Sequence, residues 1–376
     1  MTGLAISGTG LYTPKNAISN EQLVDAYNEW AEKYNIEHAA EIEAGTLQTK
    51  PLSSAEFIES VSGIKQRYLM DTKGPLDVNL MRPGLCDLAG PELDDQPVMV
   101  KMMMAAAEKA LAEAGIDGSE IDLVISSSST SERITPAMSA EVLDLIGGTG
   151  FAFDMASACS SATFGISTAT DAILSGMATK ALVLTCEYLS PFMNYIDRDS
   201  HFIFGDACVA MVIEKVEGCK SNNAFKILSR KNFSKFSTNI SAHFGSRLML
   251  ERDKIDDPRF RFLQNGRTVF KELVPMVVKL VQDHIASEGL TIDDVKRMWL
   301  HQANINMNQF ASRKLLGRDA TQLEAPIVLD EYANTAGAGC MIAFDKYKRD
   351  LKSGDKGVIC SFGAGYSIGS ILVEKI

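Results

Sequence analysis

The sequence has no CxxC pair and no regular cysteine spacing; its seven cysteines are scattered over 376 residues. That distribution argues against a zinc site or a disulfide frame and fits reduced thiols in a cytoplasmic protein. Histidine is scarce, at five residues. We expect neither a metal nor a cofactor. No apolar run approaches the ~18 residues of a membrane-spanning helix. The opening "MTGLAISGTGLYTP" lacks a basic region followed by an apolar block, so no signal peptide is expected. Positive charge is also short. Lys and Arg number 37 against 48 Asp and Glu, a net charge of −11. A chain this acidic lacks the basic footprint of a general nucleic-acid binder. An acidic partner would have to dock on a local cationic patch.

The length suits two domains or one large duplicated fold. Helical and extended patterns alternate along most of it, which argues for an α/β protein. "LAISGTGLY", "IDLVISSSS", "FAFDMAS", "ALVLTCEY" and "CVAMVIEKV" read as strands. "VMVKMMMAAAEKALAEAG" (98–115) reads as a helix stopped by Gly115. Helical spacing of Phe164, Ile166, Ala169 and Ile173 marks a second helix that ends at Gly176. Residues 31–53 and 71–97 look like insertions. The second holds four of the eleven prolines and no periodicity, and we expect a long surface loop there. Two internal echoes suggest duplication. "EAGIDGSEIDLVISS" (113–127) resembles "SEGLTIDDVKRMWLH" (287–301), and "FGDACVAMVIEK" (204–215) resembles "FGAGYSIGSILVEK" (362–375). The expected halves are 1–220, carrying a nucleophilic cysteine, and 221–376, carrying its partners.

One short run concentrates the chemistry. In "DMASACSSATFG", Cys159 lies within a run of eight small residues from Ala156 to Thr163. Buried cysteine is usually a small hydrophobe, and Cys86, Cys186, Cys208, Cys219, Cys340 and Cys360 are read that way. Cys159 differs because it lies where a strand ends and a helix begins. A helix start offers free N–H groups and a positive dipole end that favour a thiolate. Small neighbours permit the close backbone approach that a nucleophile turn requires. A thiolate also needs a base or an electrostatic partner. His301 at the end of "MWLHQANINMN" and Asn334 in "YANTAGAG" occupy strand-end or glycine-rich positions suited to that task. Either could also serve only to cap a strand or hold a turn.

Taken together, Cys159 in its run, "FGDA" (204–207), "NGRTVFK" (265–271), "HQAN" (301–304), "YANTAGAG" (332–339) and "SFGAGYSIGS" (361–370) resemble the 3-oxoacyl-[acyl-carrier-protein] synthase III family, in order and over nearly the whole chain. The resemblance implies a thiolase fold: two duplicated halves in a five-layer αβαβα arrangement, assembled as a homodimer. It implies that Cys159 accepts an acyl primer and that His301 and Asn334 complete the triad. It implies an oxyanion hole from the backbone N–H groups of Cys159 and Ala364. The activity implied is a decarboxylating Claisen condensation with a malonyl-type thioester on acyl carrier protein. Lys271, Arg313 and Lys314 fall on the family's carrier-docking positions.

The primer site departs from the family pattern. Phe57 stands where a tryptophan would stack on adenine opposite Arg198, and Val61 replaces a nearby arginine. The primer is therefore expected as acyl-CoA or as acyl carrier protein, with a carrier-borne or longer acyl group favoured by the loss. Other readings stay open. They are a ketosynthase that joins a 3-oxoacyl chain to a second acyl group, of dialkylresorcinol or cyclohexanedione type, and a non-catalytic carrier-binding partner subunit. A biosynthetic thiolase would need a second cysteine near Cys360, and Ser361 lies nearer that position.

Overall fold

The structure is a computed structural model. It describes residues 3–84, 86, 96–243, 250, 251, 253, 257, 260 and 262–376. Nine strands form one sheet: β1 (Leu4–Tyr12), β2 (Leu123–Ser128), β3 (Phe151–Ala156), β4 (Lys180–Glu187), β5 (Ala207–Lys215), β6 (Phe225–Ser237), β7 (Val295–Leu300), β8 (Lys356–Gly363) and β9 (Gly365–Lys375). Their order is β7-β8-β9-β6-β1-β5-β4-β2-β3. The pairing pattern repeats. β2 and β4 are parallel, β4–β5 and β5–β1 antiparallel. In the same way β7 and β8 are parallel, β8–β9 and β9–β6 antiparallel. The two sets join where β1 meets β6 over Leu4–Ile6.

Helices fill the connections: α1 (Asn20–Glu37), α2 (Ala55–Ser62), α3 (Val98–Ala114), α4 (Met138–Leu145), α5 (Ser161–Leu174), α6 (Gly266–Ser287), α7 (Ile305–Leu316) and α8 (Ala338–Lys346). Side chains alternate across each strand, so the sheet serves three apolar layers. Leu123 and Ile125 face α5 and α8 in the centre, whereas Val124 faces α3 and α4 outside. In the second set Trp299 and Ile359 face the centre, whereas Met298, Leu300 and Val358 face α6 and α7. The result is the expected αβαβα stack. Close approach of α3 to β1 explains the local composition. A Cβ on Gly8 would lie 2.2 Å from the Ala110 carbonyl oxygen, and one on Gly10 2.1 Å from that of Ala106. Glycine on the strand and alanine on the helix are what such contact requires.

Two sequence expectations change. The first insertion is in part a continuation of α1 through Glu37. A Ser19–Gln22 capping box starts that helix. The second insertion is not simply a surface loop. Asp71, Gly74, Pro75 and Met81 are buried, and the Asp71 carboxylate accepts the N–H groups of Gly74 and Gly84 at 3.2 and 2.7 Å. Residues 85 and 87–95 of it lie outside the described residues. Among the described residues, no helix is long and apolar enough to cross a membrane.

Candidate active site

Between β3 and α5 the chain makes one tight turn, Ala158–Ser160, with Cys159 at its centre. Ala158 is held at φ 47°, a region that crowds any residue bearing a Cβ. The Ser161 hydroxyl staples the turn, donating to the Ala158 carbonyl at 2.6 Å and accepting the Ser157 N–H at 3.3 Å. A Cβ added to Gly363 would sit 2.6 Å from the Cys159 Cβ and 2.8 Å from its Sγ, so the sulfur is seated against the β8–β9 corner. The backbone N–H groups of Ala364 and Cys159 lie near this sulfur and favour its anion.

His301 leaves the end of β7. Its neighbour Gln302 anchors the loop: the buried amide donates to the carbonyls of Leu300 and Pro326 (2.8 and 3.2 Å) and accepts the N–H groups of Val328 and Leu329 (3.0 and 3.2 Å). The His301 ring meets Phe362 edge to face at 5.2 Å, and its Nδ1 is buried with no protein partner. Asn334 is clamped through its backbone to Ile203 and Gly205 (3.0 and 3.2 Å). Its Oδ1 accepts the Ala336 N–H at 2.9 Å, which leaves the amide NH2 as its free donor. Ala333 and Ala336 flank it at φ 55° and 42°. Strained backbone thus precedes Cys159 and brackets Asn334, the pattern of a site whose geometry is held by its surroundings.

The three groups meet through shared neighbours. Cys159 rests on Gly363, and the adjoining Phe362 packs on His301. Ala336 lies beside the His301 ring, and its N–H bonds the Asn334 Oδ1. Asn334 lines a cavity of about 470 Å³, together with Val61, Phe202, Asn304, Arg267 and Lys271. Cys159 and His301 are not among its lining residues.

Electrostatics corrects the expected thiolate. Burial, reinforced by the nearby Glu187 carboxyl, pushes the Cys159 thiol up to about 12, against the two N–H groups that favour its anion. Burial lowers His301 to about 4, although its bond to the Ala336 backbone opposes this. Both shifts favour the neutral forms, a thiol and an imidazole, with Cys159 itself only partly buried. Glu187, at the end of β4, was not singled out by the sequence reading. It accepts the Ser129 N–H and hydroxyl at 3.1 Å and the Gly337 N–H at 3.1 Å. It thereby fixes the turn that carries Asn334, and burial pushes it up to about 8.

The remaining sequence-derived residues separate. Phe57 and Arg198 do come together, but with no gap: the guanidinium lies 3.7 Å from the ring centroid, and its Nε donates to the Leu52 carbonyl at 2.8 Å. Lys271 stands at the cavity. Lys314 lies over Phe310, which packs on Phe270 beside Lys271. Arg313 turns to another groove and pairs with Asp319. Cys360 faces the outer layer, whereas the Ser361 hydroxyl meets that of Thr163 at 2.6 Å on the nucleophile's helix.

The family model described as 3-oxoacyl-[acyl-carrier-protein] synthase III matches residues 153–231, and its C-terminal counterpart matches 285–375. A beta-ketodecanoyl-[acyl-carrier-protein] synthase of Pseudomonas aeruginosa is 44% identical over 94% of this chain and 100% of its own length. Two solved synthase III structures share the fold. That from Aquifex aeolicus has a TM-score of 0.73 at 23% identity, covering 100% of both chains. That from Pseudomonas aeruginosa has a TM-score of 0.74 at 22% identity, covering 99% of this chain and 98% of the other. With this relationship and the geometry above, the chain belongs to the 3-oxoacyl-[acyl-carrier-protein] synthase III family, acyltransferases of fatty acid biosynthesis that build 3-oxoacyl thioesters by Claisen condensation.

Proposed function

We propose that this enzyme extends an eight-carbon acyl primer with malonyl-acyl carrier protein, giving a 3-oxodecanoyl thioester. The 44% identity to a beta-ketodecanoyl synthase carries this reading. A ten-carbon product of this condensation takes two carbons from malonyl after CO₂ leaves, so eight come from the primer. Cys159 packs against an apolar cluster that includes Met81, Met193, Phe202 and Phe204, surroundings suited to an alkyl chain.

In this mechanism the Cys159 sulfur attacks the primer thioester. His301, neutral at physiological pH, takes the thiol proton and passes it to the departing pantetheine sulfur. The malonyl thioester then loses CO₂, and its enolate oxygen is held by His301 and the Asn334 NH2. Donors of this kind contribute roughly 3–4 kcal/mol each. The enolate carbon attacks the acyl-Cys159 carbonyl, whose oxyanion rests on the N–H groups of Cys159 and Ala364. The tetrahedral intermediate collapses and restores the cysteine. Lys271 and Lys314 serve an acidic carrier beside the cavity. A CoA primer requires Arg198 to release Phe57, whereas a carrier-borne primer does not.

We also infer that residues 1–220 and 221–376 are duplicated halves, supported by the repeated strand pairing. The half-exposed edge strand β3, with Phe151 and Phe153, would meet a second copy in a homodimer. The test is incubation with octanoyl thioesters and malonyl carrier protein, read by product mass. A 3-oxodecanoyl carrier supports the reading. Extension of acetyl primers in preference to octanoyl overturns it.

A further inference from the structure

The cavity that reaches Asn334 has one cationic wall. Among its described lining residues the cations are Arg267 and Lys271, both on α6, and Asp199 is the only acid. Spaced i and i+4, they stand one above the other on a single helix face. Both are exposed, and neither makes an ion pair or a side-chain hydrogen bond among the described residues. Apart from these cations and Asp199, the described lining residues, Val61, Asn304 and Asn306 among them, are neutral. In a chain of net charge −11, two free cations on one wall of a cavity make a local reversal of sign.

Resting on the proposed function, we infer that Arg267 is the residue that recognises the phosphate of the substrate's pantetheine arm. Both substrate forms carry that phosphate: a phosphodiester on acyl carrier protein and a pyrophosphate on CoA. The guanidinium presents two parallel N–H donors to phosphate oxygens, which the point charge of Lys271 does not. Held at the cavity, the phosphate lets the thioester end of the arm run toward Asn334. Lys271, one turn further on, is left for the acidic carrier surface. The reading from motifs missed Arg267 because its position in "NGRTVFK" signals nothing until the cavity is formed.

The test compares Arg267→Ala with wild type in the acylation of Cys159 by three octanoyl donors: octanoyl-CoA, octanoyl-acyl carrier protein and octanoyl-pantetheine, which has no phosphate. The substitution should lower the second-order acylation rate about tenfold or more for the first two, the loss of one charge-assisted contact. It should leave the pantetheine donor within about twofold of wild type. Adding Asn306→Arg, at another residue lining the cavity, should restore part of the loss. Equal losses for all three donors, no loss for any, or a loss confined to one of the two phosphate donors overturns the assignment of Arg267 to the shared phosphate. Failure of wild type to be acylated by any donor overturns the proposed function instead, and this inference with it.

Discussion

The nucleophile's seat can be tested by filling it. In Gly363→Ala, the added methyl would lie 2.8 Å from the Cys159 Sγ and 2.6 Å from its Cβ. Ordinary contacts between such atoms are about 3.5–4.0 Å. One partner must therefore move by roughly 1 Å. The β8–β9 backbone is locked into the sheet, so the Cys159 side chain gives way. Displacement of a reacting atom by about 1 Å costs on the order of a hundredfold in rate. The overpacking itself destabilises by about 1–3 kcal/mol, which leaves a folded protein. Gly218→Ala is the matched control, since its nearest new contact is an ordinary 3.8 Å to Glu214 Oε2. The assay is the rate of acyl-Cys159 formation by intact mass, with thermal unfolding alongside. A Gly363→Ala protein that unfolds cooperatively and is acylated at the wild-type rate would refute the placement of the sulfur and of its oxyanion donors.

The other predictions concern the partners and the protonation states. His301→Ala and Asn334→Ala should each leave Cys159 acylation partly intact but lower malonyl decarboxylation on the order of a hundred- to a thousandfold; retained decarboxylation in both would contradict their roles. Alkylation of Cys159 by iodoacetamide should rise about tenfold per pH unit from pH 7 to 10 without levelling, because its thiol lies at about 12. A plateau below pH 8 would mean a preformed thiolate. Glu187 is raised in the folded state from 4.5 to about 8, so its contribution to stability is complete below pH 4.5 and is lost as pH rises through 8. In urea titrations Glu187→Gln should remove a decline of up to about 1.4 kcal/mol per pH unit between those limits. An unchanged pH slope would be the contrary result.

What the sequence revealed was local, and what it hid was long-range. Helix α3 follows from its composition and from Gly115, which takes φ 70° at the C-cap. The Cys159 turn announced itself because a tight corner tolerates only small residues. A helix start at Cys159 can be read from its neighbours, whereas the burial and the carboxyl 28 positions away that push its thiol up cannot. Glu187 looked like an ordinary residue at a strand end; its importance comes from Gly337, 150 positions later. Phe57 and Arg198 touch directly, and the Leu52 carbonyl that holds the guanidinium could not be read from their positions in the sequence.

The central claim is that the Cys159 sulfur carries the acyl chain between primer and product. It is met most directly by mixing the full-length protein with an octanoyl thioester, trapping the acyl-enzyme, and mapping it by peptide mass. One octanoyl group on the peptide containing Cys159, lost on adding malonyl carrier protein as a 3-oxodecanoyl carrier appears, is the expected result. An octanoyl group on any other residue, or one on Cys159 that malonyl carrier protein never discharges, would contradict it.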